Sequence, residues 1–182
     1  VTHGLSGSGK STVTAELLMQ LPAVRLRSDV ERKRLAGLAA EADSRSATGA
    51  GIYTAEFTER TYQRLLALSE ILLRAGFIVI VDATLLKSDQ RRRFRDLAAG
   101  YRVPYLILEF VVPETELRRR VALRSRHGEG VSEADIGVLE AQLKAAEPVV
   151  GEERDRVLTV SPQRPLVIDS VRRLIGRHAQ AD

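Results

Sequence analysis

The stretch that decides the fold is Gly4-Leu5-Ser6-Gly7-Ser8-Gly9-Lys10-Ser11, which satisfies the pattern G-x-x-x-x-G-K-[ST] in full. Glycines in such a loop let the backbone curl, so that successive N–H groups face inward and cradle phosphates. The end of a strand precedes the loop, and an amphipathic helix follows it and points its positive N-terminal end at the same place. The stretch therefore predicts a phosphate-binding loop, or P-loop, for ATP or GTP.

This loop also predicts individual contacts to the nucleotide and to Mg²⁺. Lys10 is expected to neutralise the β- and γ-phosphates, and Ser11 to supply a hydroxyl to the ion. The residues that we expect to bind the nucleotide are Gly7, Ser8, Gly9, Lys10, Ser11 and Thr12.

Composition limits the class of protein. A chain of 182 residues with 44% hydrophobic and 29% charged residues suits one globular domain, here residues 1–182. The absence of cysteine excludes a disulfide framework and a cysteine nucleophile, and it fits the reducing cytoplasm where we expect the protein. Neither a signal peptide nor a long uncharged apolar run is present, so we expect no membrane partner.

Strand and helix patterns alternate along the chain. The predicted strands are the clipped one before the P-loop and the runs Ala23 to Arg27, Phe77 to Val81, Pro104 to Val112 and Val157 to Val160. The predicted helices are Thr12 to Gln20, Val30 to Leu38, Thr54 to Ala75, Ser88 to Ala99, Pro113 to Arg126, Ser132 to Ala146 and a last one opened by Pro165. This order indicates an α/β fold of three layers around a parallel sheet of about five strands. Residues 41–52 are polar and contain glycine, which favours a mobile loop.

Two acidic residues follow predicted strands. Asp29 comes after the second strand with Arg32 one helical turn on, so the carboxylate can accept a proton from an attacking hydroxyl while Arg32 binds a substrate anion. The alternative is that Asp29 only caps the helix beginning at Val30. Asp82 ends the next strand, where an acidic residue organises Mg²⁺ together with Ser11. Its alternative is a turn-forming aspartate.

Two groups of arginines offer cations. An arginine-rich helical lid at about residues 113–131 carries Arg118, Arg119, Arg120, Arg124 and Arg126. Arg120 and Arg124 share one face, and we predict that they stabilise charge on the transferring phosphoryl group. A second basic cluster, Arg91 to Arg95, either tracks a nucleic-acid backbone or forms a solvated helix face. Aromatic residues make up only 4% of the chain, which favours the solvated face.

With these motifs the chain resembles the AAA_33-like small P-loop kinases of bacteria, which occur fused behind an aminoglycoside-phosphotransferase-like domain. The resemblance rests on the P-loop, on Ser28 to Leu35 and on Val79 to Leu85, and it extends from Tyr53 to Gln142. It implies an upstream fused domain, which would account for the missing initiator Met, and it implies adenine as the base. More distantly the chain is similar to polynucleotide kinases, zeta-type toxins and gluconate kinases. In polynucleotide kinases an Asp-x-x-Arg supplies the base and a substrate-phosphate contact, which implies those roles for Asp29 and Arg32.

The sequence thus predicts an ATP- and Mg²⁺-dependent phosphotransferase that acts on a hydroxyl of a small molecule. Lys10, Asp29, Arg32, Arg120 and Arg124 are the predicted catalytic residues, and Ser11 and Asp82 are the predicted magnesium ligands. One alternative is a 5′-hydroxyl polynucleotide kinase, with nucleic acid as the less favoured partner. Another is a nucleotide-sensing module that regulates a fused domain and transfers nothing.

Overall fold

A computed structural model describes residues 1–42, 51–127, 136–161 and 168–178. Within this part the strands are β1 (Thr2–His3), β2 (Ala23–Arg27), β3 (Ile78–Asp82), β4 (Ile107–Phe110) and β5 (Val157–Val160). The helices are α1 (Lys10–Leu18), α2 (Ser28–Leu35), α3 (Ala55–Arg74), α4 (Ser88–Gly100), α5 (Glu114–His127), α6 (Ile136–Ala145) and α7 (Ile168–His178). Short 3-10 helices occupy Gly51–Tyr53 and Gly151–Arg156.

All the observed strand pairs are parallel, as the alternation of strands and helices predicts, but one continuous sheet does not form. β4 lies between β1 and β5 in a three-stranded sheet, while β2 and β3 pair separately in register from Ala23 opposite Ile78 to Arg27 opposite Asp82. The prediction of a single sheet of about five strands is therefore wrong, since the main sheet has three strands.

A threonine side chain lies at this break. The short strand β1 faces β3, but Thr2 replaces the backbone ladder there: its hydroxyl lies 2.6 Å from the carbonyl oxygen of Ala83 and accepts from the Ala83 N–H at 3.0 Å. One backbone hydrogen bond, from Gly4 N to the Thr84 oxygen at 3.1 Å, completes the connection. The two sheets are thus joined through a side chain, with their carboxyl ends at the same edge.

Helices cover both faces of the strands. On one face the buried residues Leu17 of α1 and Val171 of α7 pack on Ile80, Leu108 and Phe110. The other face is larger and is covered by α3 and α4; its buried residues are Leu26, Tyr62, Leu65, Val81, Ala83, Leu85, Phe94, Ala98, Tyr105, Ile107 and Val149. The three-layer arrangement follows because β3 is apolar on both faces, as its uninterrupted run of Ile and Val predicts.

Element boundaries depart from the predictions mainly at helix starts. Helix α2 begins at Ser28 rather than at Val30, and α1 begins at Lys10, directly after Gly9. Thr54 caps α3, and its side chain accepts from the Phe57 N–H at 3.2 Å. The proposed loop at 41–52 and the starts of the last two predicted helices fall largely outside the described residues.

Arg91 of α4 is a buried brace rather than a solvated cation. Its side chain is 0% exposed and forms a two-pronged ion pair with Glu153, with Nη2 to Oε2 at 2.9 Å. It also donates to the carbonyl oxygens of Leu85, Glu147 and Pro148 at 3.1–3.2 Å. One guanidinium therefore ties α4 to the turn after β3 and to the segment before β5.

In the described part of the chain, no helix combines the length and the apolar composition that crossing a membrane requires.

Replacing Arg91 by methionine should destabilise the fold by about 3–5 kcal/mol, because Glu153 and several carbonyls lose their buried partner. The neighbouring Arg92 is a matched control for the loss of an arginine from α4. Its side chain is 59% exposed and, among the described residues, it pairs with Asp89. Arg92→Met should cost no more than about 0.5 kcal/mol. Urea unfolding monitored by circular dichroism measures both, and equal losses would contradict the brace.

His3 should make the fold sensitive to mild acid. Burial lowers the pKa of this imidazole, whose Nδ1 lies 3.0 Å from the carbonyl oxygen of Leu85. The imidazole of His3 therefore takes up a proton near pH 6.5 in the unfolded chain but only at lower pH in the folded chain. The free energy of unfolding falls as the pH drops below about 6.5. In His3→Gln, the free energy of unfolding should change less between pH 7 and pH 5, roughly the range in which histidine titrates. An unchanged pH slope would exclude His3 as the source.

Candidate nucleotide-binding site

The P-loop connects β1 to α1 and curls around the head group of its own lysine. Gly9, with φ of 93°, is the N-cap of α1, so the N–H groups of the first turn point back into the loop. Lys10 Nζ donates to the carbonyl oxygens of Gly4 at 2.9 Å and Leu5 at 2.7 Å, and to Ser8 Oγ at 3.3 Å. The ammonium group is therefore held at the centre of the loop, as the motif predicts.

Helices α5 and α6 support the P-loop from outside. Leu5 packs against a small core formed by Leu117, Val121 and Leu139. The N–H of Ser6 donates to Gln142 Oε1 at 2.8 Å, so α6 holds the loop by a hydrogen bond as well. These contacts fix the loop in its curled form, which lowers the entropic cost of binding an anion there.

A cavity of about 320 Å³ opens beside the loop at the carboxyl edge of the strands. It is lined by Ser6, Gly7, Gly9, Lys10, Ser11, Thr12, Ser28, Asp29, Asp82, Ala83, Thr84 and Arg120. The structure thus brings eight of the eleven predicted site residues around one cavity: most of the P-loop, both aspartates and one arginine of α5. Ser8 is buried behind the wall, where it contacts Lys10.

Asp29 lies in the first turn of α2 and faces this cavity. Its Oδ2 forms an ion pair with Arg27 Nη2 at 2.7 Å, and its Oδ1 accepts from the Val30 N–H at 2.9 Å. The N-cap position belongs to Arg27, so the alternative in which Asp29 caps a helix beginning at Val30 is wrong. The two contacts fix the direction of a carboxylate that is 21% exposed and lies at the cavity wall.

Arg32 is not among the residues that line the cavity. Its Nη1 donates to the carbonyl oxygen of Ile52 at 2.7 Å and to Thr58 Oγ1 at 3.1 Å, and its guanidinium lies 5.2 Å from the centre of the Tyr53 ring. Burial lowers the pKa of Arg32 from its ordinary value. The side chain anchors the start of α3 to α2, and its predicted role as a substrate contact stays a prediction.

Asp82 and Ser11 both line the cavity. Asp82 is 4% exposed, and its Oδ2 accepts from Thr14 Oγ1 at 3.1 Å. Among the described residues no three His, Asp or Glu side chains come together to form a complete metal site. One carboxylate and one hydroxyl nevertheless fit Mg²⁺, which keeps several waters and takes its other ligands from substrate phosphates.

Helix α5 supplies one arginine to the site. Arg120 Nη1 lies 3.4 Å from the Gly7 carbonyl oxygen, and its Nε pairs with Glu116 at 2.6 Å. Hydrogen bonds from Arg119 and Arg120 hold the pKa of Glu116 at about 2. Arg118 instead bridges to Glu140 of α6 at 2.9 Å. The side chains of Arg124 and Arg126, and residues 128–131 of the proposed lid, lie outside the part that can be described.

The first half of the proposed lid is a helix, α5, that packs against the P-loop. Leu117 and Val121 of α5 are 2% and 0% exposed and pack on the P-loop side of the helix. A helix anchored by buried side chains at i and i+4 forms a wall of the site along this half, and the lid role at about 113–131 stays a prediction.

The second basic cluster does not present free cations. Arg91 is the buried brace, Arg92 pairs with Asp89, and Arg93 pairs with Glu59 at 2.5 Å. None of the three lines the cavity.

Sequence reasoning missed several residues that hold the site together. They are Thr14, Arg25, Arg27, Tyr62 and Gln142. Tyr62 is fully buried, and its hydroxyl contacts both Thr84 Oγ1 and the Leu85 N–H at 3.2 Å, which fixes the turn after Asp82. One signal was readable: alternation in the strand AVRLR places Arg25 and Arg27 on the same face of β2 as each other.

The fold and cavity define the nucleotide-binding class of α/β proteins built like P-loop kinases. Residues 1–149 match the model of AAA_33, described as an AAA domain, and the chain belongs to this family. A search of curated protein sequences gave no significant match. The expected fused upstream domain stays a prediction.

Solved structures similar to this chain include two with a bound nucleotide or nucleotide analogue. The APS kinase of Mycobacterium tuberculosis, in complex with AMPPNP and APS, is 19% identical over 97% of this chain and 94% of its own, with a TM-score of 0.61. Kti12 of Chaetomium thermophilum, in complex with ADP-AlF3, is 16% identical over 96% and 97%, with a TM-score of 0.68. A gluconokinase of Sinorhizobium meliloti is 21% identical over 99% and 87%, with a TM-score of 0.55. These likenesses establish the fold.

Gly7→Ala should test how tightly α5 fits the P-loop. Gly7 has φ of 82°, and a Cβ there would lie 3.1 Å from Val121 Cγ2. Gly37 is a matched control, because it has φ of 72° but a Cβ would meet nothing within 4 Å. Both substitutions should cost roughly 1–2 kcal/mol from the left-handed backbone. Only Gly7→Ala should also lower the affinity for ATP, by about tenfold or more. Calorimetric titration measures this, and equal affinities in the two variants would contradict the fit.

Proposed function

We propose that the protein is an ATP- and Mg²⁺-dependent kinase that transfers the γ-phosphoryl group to a hydroxyl of a small molecule. The observation that carries the proposal is the single cavity of about 320 Å³ in which the P-loop, Asp29, Asp82 and Arg120 meet. A phosphate cradle alone indicates nucleotide binding. The addition of the Asp29 carboxylate to the same cavity provides what a kinase needs beyond binding, namely a base for the incoming hydroxyl.

Each residue then has a chemical task. Lys10 and the loop N–H groups hold the phosphates, and Arg120 stabilises the negative charge on the transferring phosphoryl group. Asp29 takes the proton from the acceptor hydroxyl while the oxygen of that hydroxyl forms a bond to the γ-phosphorus. The bond from that phosphorus to the β–γ bridging oxygen breaks, and ADP leaves with the electron pair. The ion pair with Arg27 at 2.7 Å aims the Asp29 carboxylate during this step.

Ser11 and Asp82 would hold the magnesium ion, which when bound neutralises charge on the phosphate oxygens. Asp82 is buried at the carboxyl end of β3, and Ser11 lies in the first turn of α1. Arg32 lies one helical turn beyond Asp29, anchored on Tyr53 and Ile52. There it shapes the acceptor side of the site by fixing the start of α3.

A small-molecule acceptor is favoured over nucleic acid by the surroundings of the cavity. The arginines of the basic cluster from Arg91 to Arg95 are buried or paired with carboxylates, so the cluster is poorly suited to tracking a phosphate backbone. The solved structures with the same fold include an APS kinase and a gluconokinase, and both names denote kinases of small molecules.

The proposal is tested by measuring ADP formation from MgATP with a panel of acceptors: nucleosides, sugars, aminoglycosides and 5′-hydroxyl oligonucleotides. At least one small-molecule class should raise turnover above the rate with water alone. Lys10→Ala should lower ATP affinity by about tenfold or more, because a charge-assisted contact to phosphate is lost. Asp29→Asn should bind MgATP normally and lower acceptor-dependent turnover by about 10²–10⁴-fold.

Three results would contradict the proposal. Stimulation by oligonucleotides alone would favour the polynucleotide kinase. ATP binding without stimulation by any acceptor would favour the nucleotide-sensing module. Full transfer by Asp29→Asn would remove the base assignment while leaving the kinase in place.

A further inference from the structure

A buried threonine contacts the proposed magnesium-binding carboxylate from behind. Thr14 lies on α1 one helical turn after Ser11, and it is 0% exposed. Its Oγ1 lies 3.1 Å from Asp82 Oδ2 and 3.3 Å from the Ser11 carbonyl oxygen. It does not line the cavity, so it cannot reach a nucleotide or an ion directly.

An arginine of β2 fixes the direction of that hydroxyl. Arg25 Nη1 donates to Thr14 Oγ1 at 3.1 Å and to the Ser11 carbonyl oxygen at 2.9 Å. Arg25 pairs in register with Ile80, which lies two residues before Asp82 on β3. Side chains two residues apart on a strand share a face, so the arginine and the aspartate both point toward α1.

The donor roles in this cluster leave little freedom. A guanidinium only donates, so Thr14 Oγ1 must accept from Arg25, and its single hydrogen must go elsewhere. Asp82 Oδ2 is the nearer and the charged acceptor, and charge-assisted hydrogen bonds are the stronger ones. The Thr14 hydroxyl therefore donates to Asp82 Oδ2. Asp82 Oδ1 is then the carboxylate oxygen available to a ligand in the cavity.

We propose that Thr14 and Arg25 are positioning residues that orient both proposed magnesium ligands, Ser11 and Asp82, from outside the cavity. The inference rests on the proposed function, since it assigns an outer layer to the same metal site. One guanidinium nitrogen holds the Ser11 backbone directly and the Asp82 carboxylate through Thr14. Outer hydrogen-bond partners of this kind commonly change metal affinity by about 10–100-fold when removed.

The test is the Mg²⁺ dependence of nucleotide binding, which needs no turnover. Affinity for a fluorescent ATP analogue is measured in EDTA and over a series of free Mg²⁺ concentrations. Thr14→Val keeps the shape and removes the hydroxyl. It should raise the Mg²⁺ concentration at half-effect by about tenfold and leave the affinity in EDTA within about twofold. Thr14→Ser retains the hydroxyl and should behave like the wild type. Arg25→Met should shift the Mg²⁺ response in the same direction as Thr14→Val.

Matched controls separate this effect from general damage to the core. Thr61 is also 0% exposed, and among the described residues its hydroxyl donates to the Phe57 carbonyl oxygen of α3 at 2.8 Å. Thr61→Val should therefore leave the Mg²⁺ response unchanged. Arg74→Met serves the same purpose for the arginine, because Arg74 is exposed at the end of α3. If Thr14→Val does not fold, as judged by circular dichroism, Arg25→Met decides the question.

Different results would contradict the proposed function and the positioning role of Thr14 and Arg25. A wild-type protein whose ATP affinity ignores Mg²⁺ contradicts the proposed function, and the positioning role falls with it. A wild type that responds to Mg²⁺, beside folded Thr14→Val and Arg25→Met proteins that respond equally, overturns the positioning role alone.

Discussion

The structure depends on keeping one backbone loop curled around a lysine. Lys10 Nζ sits within 2.9 Å of two carbonyl oxygens of the loop, and this arrangement leaves the N–H groups to converge on the cavity. An isolated loop of this composition would not keep the curled conformation, because fixing its backbone costs conformational entropy. Burial of Leu5 against α5 and α6, and the hydrogen bond from Ser6 to Gln142, hold it in place. The remainder of the molecule positions charges around that cradle.

Parallel strand pairing accounts for the rest of the site. Because β2 and β3 run in register, Arg27 lies opposite Asp82, and the chain beyond each strand enters the same cavity. The turn after Asp82 is then fixed from three sides. Thr2 contacts Ala83, Tyr62 contacts Thr84 and Leu85, and Arg91 binds the Leu85 carbonyl. Residues that would never touch a nucleotide thus determine where the carboxylates and Thr84 point.

The sequence predicts local patterns well and long-range pairing poorly. The bounds of β2 and β5 follow from short strand patterns in AVRLR and VLTV, and the P-loop motif lies beside the cavity, because both signals lie in consecutive residues. The junction of the two sheets runs through the Thr2 hydroxyl, and the buried Arg91 pairs with Glu153, a residue 62 positions away. Asp29, Asp82 and Arg120 line the cavity, whereas Arg32 contacts Tyr53, since an Asp-x-x-Arg spacing does not specify rotamers. The catalytic and metal-binding roles of these residues stay predictions.

The central claim is that the cavity beside Lys10 is the triphosphate site of a kinase, and a crystal structure with Mg²⁺ and AMPPNP tests it most directly. The account predicts phosphate oxygens within hydrogen-bond distance of Lys10 Nζ and Arg120, and Mg²⁺ next to Ser11 and Asp82. It also predicts that the γ-phosphate faces Asp29. A triphosphate bound elsewhere, or one whose γ-phosphate points away from the Asp29 wall, would contradict it.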